Sequence, residues 1–430
     1  MKRYEYYRET ASPFLKEVPS HWEDTRIGRG YAEKSIGNND GEQLLSVFLN
    51  RGVVSYTDTD MKQVHKPSED MSSYQLVEPG DFVLNNQQAW RGSVGVSSYR
   101  GIVSPAYIVM TPIMDNNPRF MNYMLRETAC TAQFVLASKG VGSIQRILSP
   151  IKLKSSIMVL PPRAEQDQIV RYLDWQVSKI NRLIAAKRKE VELYKEQMCK
   201  VFSVSSSENQ KVRLKRVCDL VFQPVDIRPD AMYCKTGMYN RGRGIFRREP
   251  MLGCELGDSM FQHIDRNHVM ISGQFAWEGA AYVTSEADEE GIVSHRYYLL
   301  KPTRLTPEYI WAYLMSDKGL LEMLICSHGS AGRNRPLNIE ELLNTYIPLP
   351  NSEADEKRVI SAVRALMYIY RQKERVFQLY EQLRTRLISD VVTGQVDVRG
   401  IEVPEFEYAG EVSETNDNDE DELEDNEEAD

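Results

Sequence analysis

The stretch that decides the fold is Leu160 to Phe202, which reads LPPRAEQDQIVRYLDWQVSKINRLIAAKRKEVELYKEQMCKVF. After Pro162 it contains neither glycine nor proline, so no residue in it interrupts a helix. Apolar or long-stemmed residues recur almost always at steps of three or four, the a/d rhythm of a coiled-coil seam. They are Ile169, Leu173, Val177, Ile180, Ile184, Lys187, Val191, Tyr194, Met198 and Val201. At ~1.5 Å per residue such a helix is about 57 Å long, which suits a spacer as well as a packing element.

The same kind of stretch returns at Ile347 to Gly394, IPLPNSEADEKRVISAVRALMYIYRQKERVFQLYEQLRTRLISDVVTG. Pro161 and Pro350 precede the two helical patterns in the same way. The second seam consists of Val359, Val363, Leu366, Tyr370, Phe377, Tyr380, Leu387 and Val391. We expect the two helices to pack on each other, because an isolated helix could not bury such a seam.

The repeat extends beyond the helices. Glu165-Gln166 corresponds to Asp355-Glu356, acidic residues in the first turn where the helix dipole favours them. Upstream, GIVSPAYIVMTP (Gly101 to Pro112) parallels GIVSHRYYLLKP (Gly291 to Pro302). Repeats this far apart indicate duplicated domains rather than a solenoid.

The sequence therefore predicts an α+β chain with an internal pseudo-two-fold repeat. Two similar α/β domains are separated by a pair of long, antiparallel, coiled-coil-like helices. The predicted segments are a first globular domain at 1–159, the first helix at 160–206, a second globular domain at 207–346, the second helix at 347–396 and an acidic disordered tail at 397–430.

Composition limits the class of protein. The chain has 430 residues, 42% of them hydrophobic, and no run of 18 apolar residues, so no membrane span is predicted. Its first ten residues, MKRYEYYRET, lack the apolar run of a signal peptide. Six cysteines without C-x-x-C spacing indicate reduced thiols and a cytoplasmic location.

Charge is divided unevenly along the chain. Residues 411–430 contain twelve Asp or Glu and neither Lys nor Arg. Since the whole chain carries −9 and this segment −12, residues 1–410 carry +3. A mildly basic body is compatible with a nucleic-acid partner, whereas the terminal segment has too few apolar residues to fold alone.

Two loops of the first domain are candidates for binding DNA. Asn85 to Gly92 is rich in amides, and its Gln87, Gln88 and Arg91 are residue types that read base edges. An ordinary solvated turn is the alternative. Ser138 to Arg146 is glycine-rich and basic, with Lys139 and Arg146, but it lacks the pattern of a nucleotide-binding loop.

The second domain carries two further candidates. Tyr239 to Arg248, YNRGRGIFRR, combines arginines with aromatic residues, which suits phosphate contact and stacking. A basic solvated hairpin is equally compatible with this stretch. The candidate residues here are Asn240, Arg241, Arg243, Arg247 and Arg248. Ser330 to Arg335 occupies the position of the first domain's glycine-rich loop and contributes Arg333 and Arg335.

No catalytic constellation is evident in the sequence. We find no adenine-methylation motif of the D-P-P-Y type, no G-x-G-x-x-G fingerprint and no defensible nuclease signature. His263, Asp265 and His268 form an H-x-D-x-x-H pattern, but no further ligand cluster supports a metal site.

The arrangement resembles the specificity (S) subunit of type I restriction–modification systems. Leu160 to Asp174 is similar to that family's P-x-x-E-Q-x-x-I-x-x-x-L-D helix entry, and Val391 to Gly394 is similar to the V-T-G that closes its second helix. Leu15 to Glu23, LKEVPSHWE, resembles the family's N-terminal stretch. The second helix entry departs from the pattern, because Asp355-Glu356 replaces Glu-Gln.

The resemblance implies two target-recognition domains, each reading one half of a split double-stranded DNA site. It implies no catalysis by this chain. S-adenosylmethionine, ATP and Mg²⁺ are expected in the methylation (M) and restriction/translocase (R) subunits that would be its partners. The helices would dock the M subunits, with Glu165, Gln166, Ile169, Leu173, Ile180 and Ile184 as the expected interface.

Two other classes of function stay open on the sequence alone. One is an enzyme, a nuclease or methyltransferase with an unrecognised motif; a methyltransferase assay on the purified chain would detect the latter activity. The other is a coiled-coil scaffold without a DNA role, which salt-dependent DNA binding would exclude.

Overall fold

The computed structural model describes residues 2–37, 41–49, 51–56, 68, 70–139, 146–257, 259–329 and 335–410, without the side chains of Glu208 and Glu374. They form two compact units. Unit 1 comprises the described residues of Met1–Ala185 and Leu379–Asp430, and unit 2 those of Ala186–Gln378. The predicted long helices are both present, and each contributes one part to each unit.

Unit 1 is built on an antiparallel sheet with short strand pairs around it. Its strands are β1 (Tyr7–Glu9), β2 (Glu17–Pro19), β3 (Glu23–Arg26), β4 (Tyr31–Lys34), β5 (Leu45–Phe48), β6 (Gly52–Ser55), β7 (Gln75–Val77), β8 (Phe82–Asn85), β9 (Val94–Val96), β10 (Gly101–Val103), β11 (Tyr107–Pro112), β12 (Ser138–Lys139), β13 (Ile147–Leu148) and β14 (Ile157–Leu160). The main sheet has the order β4-β11-β8-β9, and the pairs are β1-β2, β10-β7, β12-β13, β14-β3 and β5-β6.

The helices of this part of the chain are α1 (Ile27–Gly30), α2 (Pro118–Arg126), α3 (Thr128–Ala137), α4 (Pro150–Ser155) and α5 (Arg163–Ser205). Helix α2 begins where its sequence dictates. Pro118 stands in the first turn, and the Asn117 side chain accepts hydrogen bonds from the backbone N–H groups of Arg119 and Phe120.

Unit 2 repeats this plan. Its strands are β15 (Ser206–Arg213), β16 (Cys218–Val221), β17 (Met232–Tyr233), β18 (Thr236–Tyr239), β19 (Gly244–Arg247), β20 (Met251–Leu252), β21 (Phe261–His263), β22 (Val269–Ser272), β23 (Ala281–Val283), β24 (Ile292–Ser294), β25 (Tyr297–Pro302) and β26 (Tyr346–Pro350). The main sheet is β16-β25-β22-β23, with pairs β15-β26, β17-β20, β18-β19 and β21-β24. The helices are α6 (Pro307–Leu314), α7 (Asp317–Ile325), α8 (Ile339–Asn344) and α9 (Glu353–Val392).

The duplication inferred from the sequence is thus visible in strand order. The paired stretches that begin with Gly-Ile-Val-Ser form β10 and β11 in unit 1 and β24 and β25 in unit 2. In each unit the strand directly before the long helix pairs with an early strand, β14 with β3 and β26 with β15. The two units therefore share a topology as well as a sequence pattern.

Most residues of the two apolar seams are buried, as their periodicity predicts. In unit 2 one core cluster includes Val191 and Met198 of α5 together with Val363 and Leu366 of α9. In unit 1, Ile169 and Leu173 of α5 are fully buried. Each such side chain contributes about 1.5–3 kcal/mol on burial, so the seams supply much of each core.

Two predicted boundaries are corrected by the structure. Leu160 belongs to β14 rather than to the helix, because two prolines separate the strand from α5; the Pro162 carbonyl accepts from the N–H groups of Glu165 and Gln166 at 2.9 and 3.0 Å. Residues from 397 onward were expected to lack structure. Instead, Val398 is fully buried, and its carbonyl accepts from the Gln168 Nε2 of α5 at 3.0 Å. Residues 411–430 lie outside the described residues.

Within the described ranges, no helix combines the length and apolarity needed to cross a membrane.

Candidate nucleic-acid interface

The amide-rich loop of unit 1 is a fixed turn. The Asn85 side-chain oxygen accepts from the N–H groups of Gln87 and Gln88 at 3.0 and 3.2 Å, which bends the chain directly after β8. A short 3-10 turn follows, with Ala89 buried and Gly92 at φ 99°. A side chain at Gly92 would be strained, because that conformation favours glycine. We call Asn85–Gly92 the A-W turn of unit 1; it exposes Gln87 and Arg91.

The residues that follow the glycine-rich segment of unit 1 contact this turn. The Arg146 guanidinium lies over the Trp90 indole at 5.2 Å, and Arg91 lies over the same ring at 5.0 Å. The Leu148 N–H donates to the Asn86 carbonyl at 3.2 Å, which fixes the end of the loop against the turn. Exposed Lys139 lies in the β12-β13 stem opposite Ile147. Residues 140–145 lie outside the described residues.

Unit 2 contains the same construction, which sequence reasoning missed. Gly273–Gly279 forms its A-W turn: Ala276 is buried, Gly279 has φ 77°, and the Arg335 guanidinium lies over the Trp277 indole at 5.2 Å. The Leu337 N–H donates to the Gly273 carbonyl at 2.7 Å. The available signal was Ala-Trp-x-Gly at residues 89–92 and 276–279. Arg333 lies outside the described residues.

The arginine-rich stretch of the second domain is the β18-β19 hairpin. Its tip contains Arg241 at φ 61° and Gly242 at φ 67°, and the Gly242 N–H donates to the Gly279 carbonyl at 2.8 Å. The hairpin tip therefore rests on the A-W turn of unit 2. Positive φ at Arg241, a residue with a Cβ, is unfavourable and is held by these contacts.

The five candidate residues of this stretch differ in their surroundings. Arg243 donates from Nε to the Asn240 carbonyl at 2.9 Å and lies over the Tyr239 ring. Arg247 pairs with Glu290 at 2.7 Å and is exposed, as is Arg241, whereas Arg248 is half-buried. Asn240 is buried, and its Nδ2 donates to the Glu278 carboxylate. One donor of the Asn240 amide is thus used inside the unit, and its contact with DNA stays a prediction.

Unit 1 has the corresponding hairpin, β5-β6. Arg51-Gly52 occupies the position of Arg241-Gly242, and Gly52 has φ 75°. The closest atom to a Cβ built on Gly95 is the Gly52 Cα at 2.9 Å, so β9 and the hairpin approach closely. Sequence reasoning did not select Arg51. The missed signal is Asn-Arg-Gly, present at residues 50–52 and 240–242.

The start of α5 forms a separate polar cluster that is internal to unit 1. The buried Glu165 carboxylate accepts from the Tyr4 hydroxyl at 2.6 Å and from the Trp22 indole N–H at 3.0 Å. Its other oxygen is 2.7 Å from the His21 Nε2. Burial, followed by the hydrogen bond to Glu165, raises the pKa of the Tyr4 hydroxyl, so this phenol stays a donor at ordinary pH.

The residues predicted for a subunit interface are also buried. All six residues proposed for it are buried within the chain itself: Glu165, Gln166, Ile169, Leu173, Ile180 and Ile184. Their role in a subunit interface stays a prediction. A repeated apolar seam predicts that its residues are buried, but it does not tell whether the same chain or another subunit covers them.

The second helix entry keeps one contact of the first and loses the other. The Gln166 Oε1 accepts from the Asn117 N–H at 2.8 Å, and the Glu356 Oε1 accepts from the Thr306 N–H at 3.1 Å, at the corresponding start of α6. Asp355, in contrast, bonds to the Ser352 hydroxyl at 2.7 Å rather than to a distant aromatic cluster. The replacement of Glu-Gln by Asp355-Glu356 therefore changes the contacts of the first residue and keeps the backbone contact of the second.

Asp265 and His268, two residues of the H-x-D-x-x-H pattern in unit 2, each bond to another group. The Asp265 Oδ2 accepts from the Gln223 Nε2 at 2.7 Å, and the His268 Nδ1 lies 2.9 Å from the Arg266 carbonyl. Among the residues that the structure describes, no group of three or more His, Cys, Asp or Glu could hold a metal ion.

With the geometry established, the chain can be compared with known proteins. No protein-family model and no curated protein matches it. A solved chain from a study of complex assembly and conformational transition of the type I R-M system matches with a TM-score of 0.56 and 15% identity, covering 88% of this chain and 99% of its own. The HsdS subunit from Thermoanaerobacter tengcongensis matches at 0.41 and 16%, covering 88% and 98%. The type I restriction–modification S subunit from M. genitalium matches at 0.44 and 11%, covering 89% and 97%.

The first of these structures shows that the chain has the fold of a type I restriction–modification subunit over most of its length. This likeness confirms, at the level of the fold, the resemblance that the helix sequences indicated.

Proposed function

We propose that this chain is the DNA-specificity subunit of a type I restriction–modification complex. The observation that supports this most directly is the construction repeated in each unit. A hairpin with an Arg-Gly tip, an A-W turn and an arginine stacked on the tryptophan occur together in the described residues of both. Arginines supply phosphate contacts, and amides and arginines read base edges in the major groove.

Each unit would read one half of a bipartite site. The two A-W turns share a backbone but not their side chains: Arg91 of unit 1 corresponds to Glu278 of unit 2, and Gln88 corresponds to Phe275. The two turns thus present side chains that differ in charge and in size. We therefore expect two different half-sites and an asymmetric full sequence.

The long helices would set the distance between the half-sites. Unit 1 contains the first part of α5 and the last part of α9, and unit 2 contains the opposite parts, which supports an antiparallel pair. A rigid spacer fixes half-site separation as dimer spacing does for palindromic readers. The M subunits would dock on exposed positions of these helices instead of the buried seam. Leu183, Leu379 and Leu383 each leave about half of their side-chain surface exposed.

The chemistry would belong to the partners. An adenine must leave the stack to be methylated, and S-adenosylmethionine would be bound by the M subunits. ATP and Mg²⁺ would be used by the R subunits. This chain would contribute binding and orientation in the cytoplasm, as part of a defence against foreign DNA.

The test is a domain exchange in the full chain, co-produced with its M subunits. Residues 27–159 are replaced by the corresponding domain of another chain with the same helix motifs, and methylated adenines are mapped in host DNA. The expected result is a change in one half-site with the other half and the gap retained. Exchange of residues 207–346 is the matched control and should change only the other half. A change in both half-sites after either exchange would exclude modular reading, and no methylation dependence on this chain would exclude the proposed function.

A further inference from the structure

Each unit contains a cleft at the same place in the repeated fold. The unit 1 cleft, of about 700 Å³, lies among α2, β9, α5 and α9, and the unit 2 cleft, of about 610 Å³, lies among α6, β23 and α9. Corresponding residues line the two: Gly80 and Asn267, Val96 and Val283, Arg119 and Glu308, Val177 and Met367. Gly80 and Asn267 also share a positive φ, 95° and 60°. The two clefts can therefore be compared position by position.

In unit 1 this cleft holds a segment of the chain itself. Residues 408–410, which are neither helix nor strand, lie in it. The Asn181 Nδ2 of α5 donates to the carbonyls of Ala409 and Gly410 at 3.1 and 2.9 Å. The Ala409 N–H donates to the Ser178 hydroxyl at 3.1 Å. These bonds all reach the main chain of the segment, so they recognise a peptide more than a particular side chain.

The same face of the long helix is open in unit 2. Ser178 and Asn181 of α5 are only 2% and 1% exposed in unit 1. Their counterparts on α9 are Tyr368 and Arg371, which both line the unit 2 cleft. Tyr368 leaves 63% of its surface exposed, and Arg371 is exposed as well. Small polar residues thus stand where the chain covers the helix, and large ones where it does not.

The charges of the unit 2 cleft are largely paired. Arg364 pairs with Glu308 at 2.8 Å, and Arg266 approaches Glu286 at 3.7 Å. Binding of a nucleic acid relies on cations that neutralise phosphates. A cleft whose arginines face carboxylates therefore suits a neutral peptide main chain better than a polyanion.

Arg371 and Tyr368 can replace the contacts that α5 makes in unit 1. A guanidinium has five N–H donors, so Arg371 can donate to successive carbonyls as the Asn181 amide does. Arg371 also lies beside the Tyr282 hydroxyl; burial raises the pKa of that hydroxyl, and Arg371 opposes the shift. Tyr368 offers a hydroxyl at the position of Ser178 and adds an aromatic face.

We propose that the unit 2 cleft binds a non-helical segment of the M subunit, in the way that the unit 1 cleft holds residues 408–410. This inference rests on the proposed function, which supplies the partner. Two M subunits that dock alike on the two repeats find one cleft open and the other occupied. The second must displace residues 402–410, and an attached competitor opposes its binding. The two M subunits therefore bind with unequal affinity.

The test is calorimetric titration of the full chain with purified M subunit, without DNA. The native chain is expected to show two steps whose dissociation constants differ by about tenfold. A chain that ends at Ile401 lacks the covering segment but keeps the contacts of Val398 and Ile401 with Gln168. In this chain the weaker step should become about tenfold tighter, with the tighter step unchanged. A chain that ends at Gly410 is the matched control; it loses only the acidic residues 411–430 and should keep both steps.

Substitutions in the unit 2 cleft address the tighter step. Tyr368→Ala and Arg371→Ala should each weaken it about fivefold, because aromatic and arginine side chains supply much of the free energy of protein interfaces. Arg358→Gln, at an exposed position of α9 outside the cleft lining, is the control and should leave both steps unchanged. Circular dichroism verifies the folding of each variant.

The outcomes separate this inference from the proposed function. Two equal steps in the native chain, no effect of ending the chain at Ile401, or a tighter step unaffected by Tyr368→Ala and Arg371→Ala would overturn the inference alone. Loss of duplex DNA binding in Arg371→Ala with unchanged M binding would assign the cleft to DNA and overturn it as well. Absence of M binding to the native chain would exclude the proposed function and, with it, the inference.

Discussion

The Arg146 guanidinium lies over the Trp90 indole, with its central carbon 5.2 Å from the ring centroid. Stacking on an aromatic face orients a guanidinium and is worth about 0.5–1 kcal/mol at an exposed site. Arg335 and Trp277 repeat the relationship at the same distance in unit 2. In both units, the stacked arginine is the last residue of the corresponding sequence segment, 138–146 in unit 1 and 330–335 in unit 2.

The first prediction tests whether this arginine contacts phosphate. Arg146→Ala should lower the slope of log K against log salt by about 0.9, the value for one phosphate contact. Arg146→Lys should retain the slope, because the charge remains, with a lower affinity from the changed stacking. Binding of the full chain to a random duplex across a NaCl series measures both. An unchanged slope in the alanine variant would assign Arg146 a purely structural role.

The second prediction separates binding from stability at the unit 2 hairpin. Arg241 has φ 61°, so Arg241→Gly removes backbone strain while deleting a charge. We expect the free energy of unfolding to stay equal or to rise by up to about 1 kcal/mol, and the salt slope to fall by about 0.9.

The matched variant for Arg241→Gly is Arg243→Ala. Arg243 stacks on Tyr239 and donates to the Asn240 carbonyl, so its loss should lower stability by about 1 kcal/mol. If Arg241→Gly destabilised the chain as Arg243→Ala does, the hairpin tip would depend on the arginine side chain for its conformation.

What the sequence could predict depends on how local the signal is. The seams of α5 and α9 were predicted because residues three or four apart share a helix face, a relationship fixed within one turn. The Gly-Ile-Val-Ser strands were found because whole segments repeat. The bond between Asn240 and Glu278 was not predicted, because the two residues are 38 positions apart and come close only through the fold. The contacts of Glu165 were missed for the same reason, since Tyr4 and Trp22 reach it from the chain's beginning.

The third prediction concerns that carboxylate. Glu165→Ala removes the acceptor of the Tyr4 hydroxyl and of the Trp22 indole N–H, both buried. Each unsatisfied buried donor costs about 1–3 kcal/mol, so we expect a loss of roughly 3 kcal/mol in urea unfolding. Asp355→Ala, at the corresponding position of α9, is the control and should cost less than about 1 kcal/mol, because its contacts are at the surface. Equal losses would show that the cluster at Glu165 contributes no more than a surface pair.

The fourth prediction is a pH dependence from Asp174. Burial raises the pKa of this carboxyl, and Arg119 and the Tyr123 hydroxyl oppose the shift. A carboxyl whose pKa is higher in the folded chain binds its proton more tightly there. Its contribution therefore favours folding at low pH and declines as the pH rises from ~4 through the folded pKa. Asp174→Asn should flatten this part of the profile of unfolding free energy against pH. An unchanged profile would show that other groups govern stability in this range.

The last prediction follows from a charge exchange between the units. In unit 1, Arg119 of α2 pairs with Asp174 of α5 at 2.9 Å. In unit 2, Glu308 at the corresponding place in α6 pairs with Arg364 of α9 at 2.8 Å. The same backbone arrangement therefore accommodates both polarities of the pair.

Exchanging the two charges of the Arg119–Asp174 pair should therefore cost less free energy of unfolding than the two single changes together. Arg119→Glu alone places two carboxylates together, one of them buried, and should cost about 3–5 kcal/mol. Asp174→Arg alone places two guanidinium groups together and should cost a similar amount. The double variant should recover at least half of the summed loss. Full recovery is not expected, because the Tyr123 hydroxyl loses its acceptor at Asp174 and Tyr408 loses the Arg119 guanidinium.

The measurement is a double-mutant cycle from urea unfolding at pH 7. We expect a coupling energy of at least about 2 kcal/mol, since the two side chains are in direct contact. The variant Arg358→Glu, at an exposed pair in α9, is the control and should change stability by less than about 1 kcal/mol. Additive losses in the double variant would show that unit 1 accepts only one polarity. Units 1 and 2 would then share the backbone arrangement at this pair but not the tolerance for either charge order.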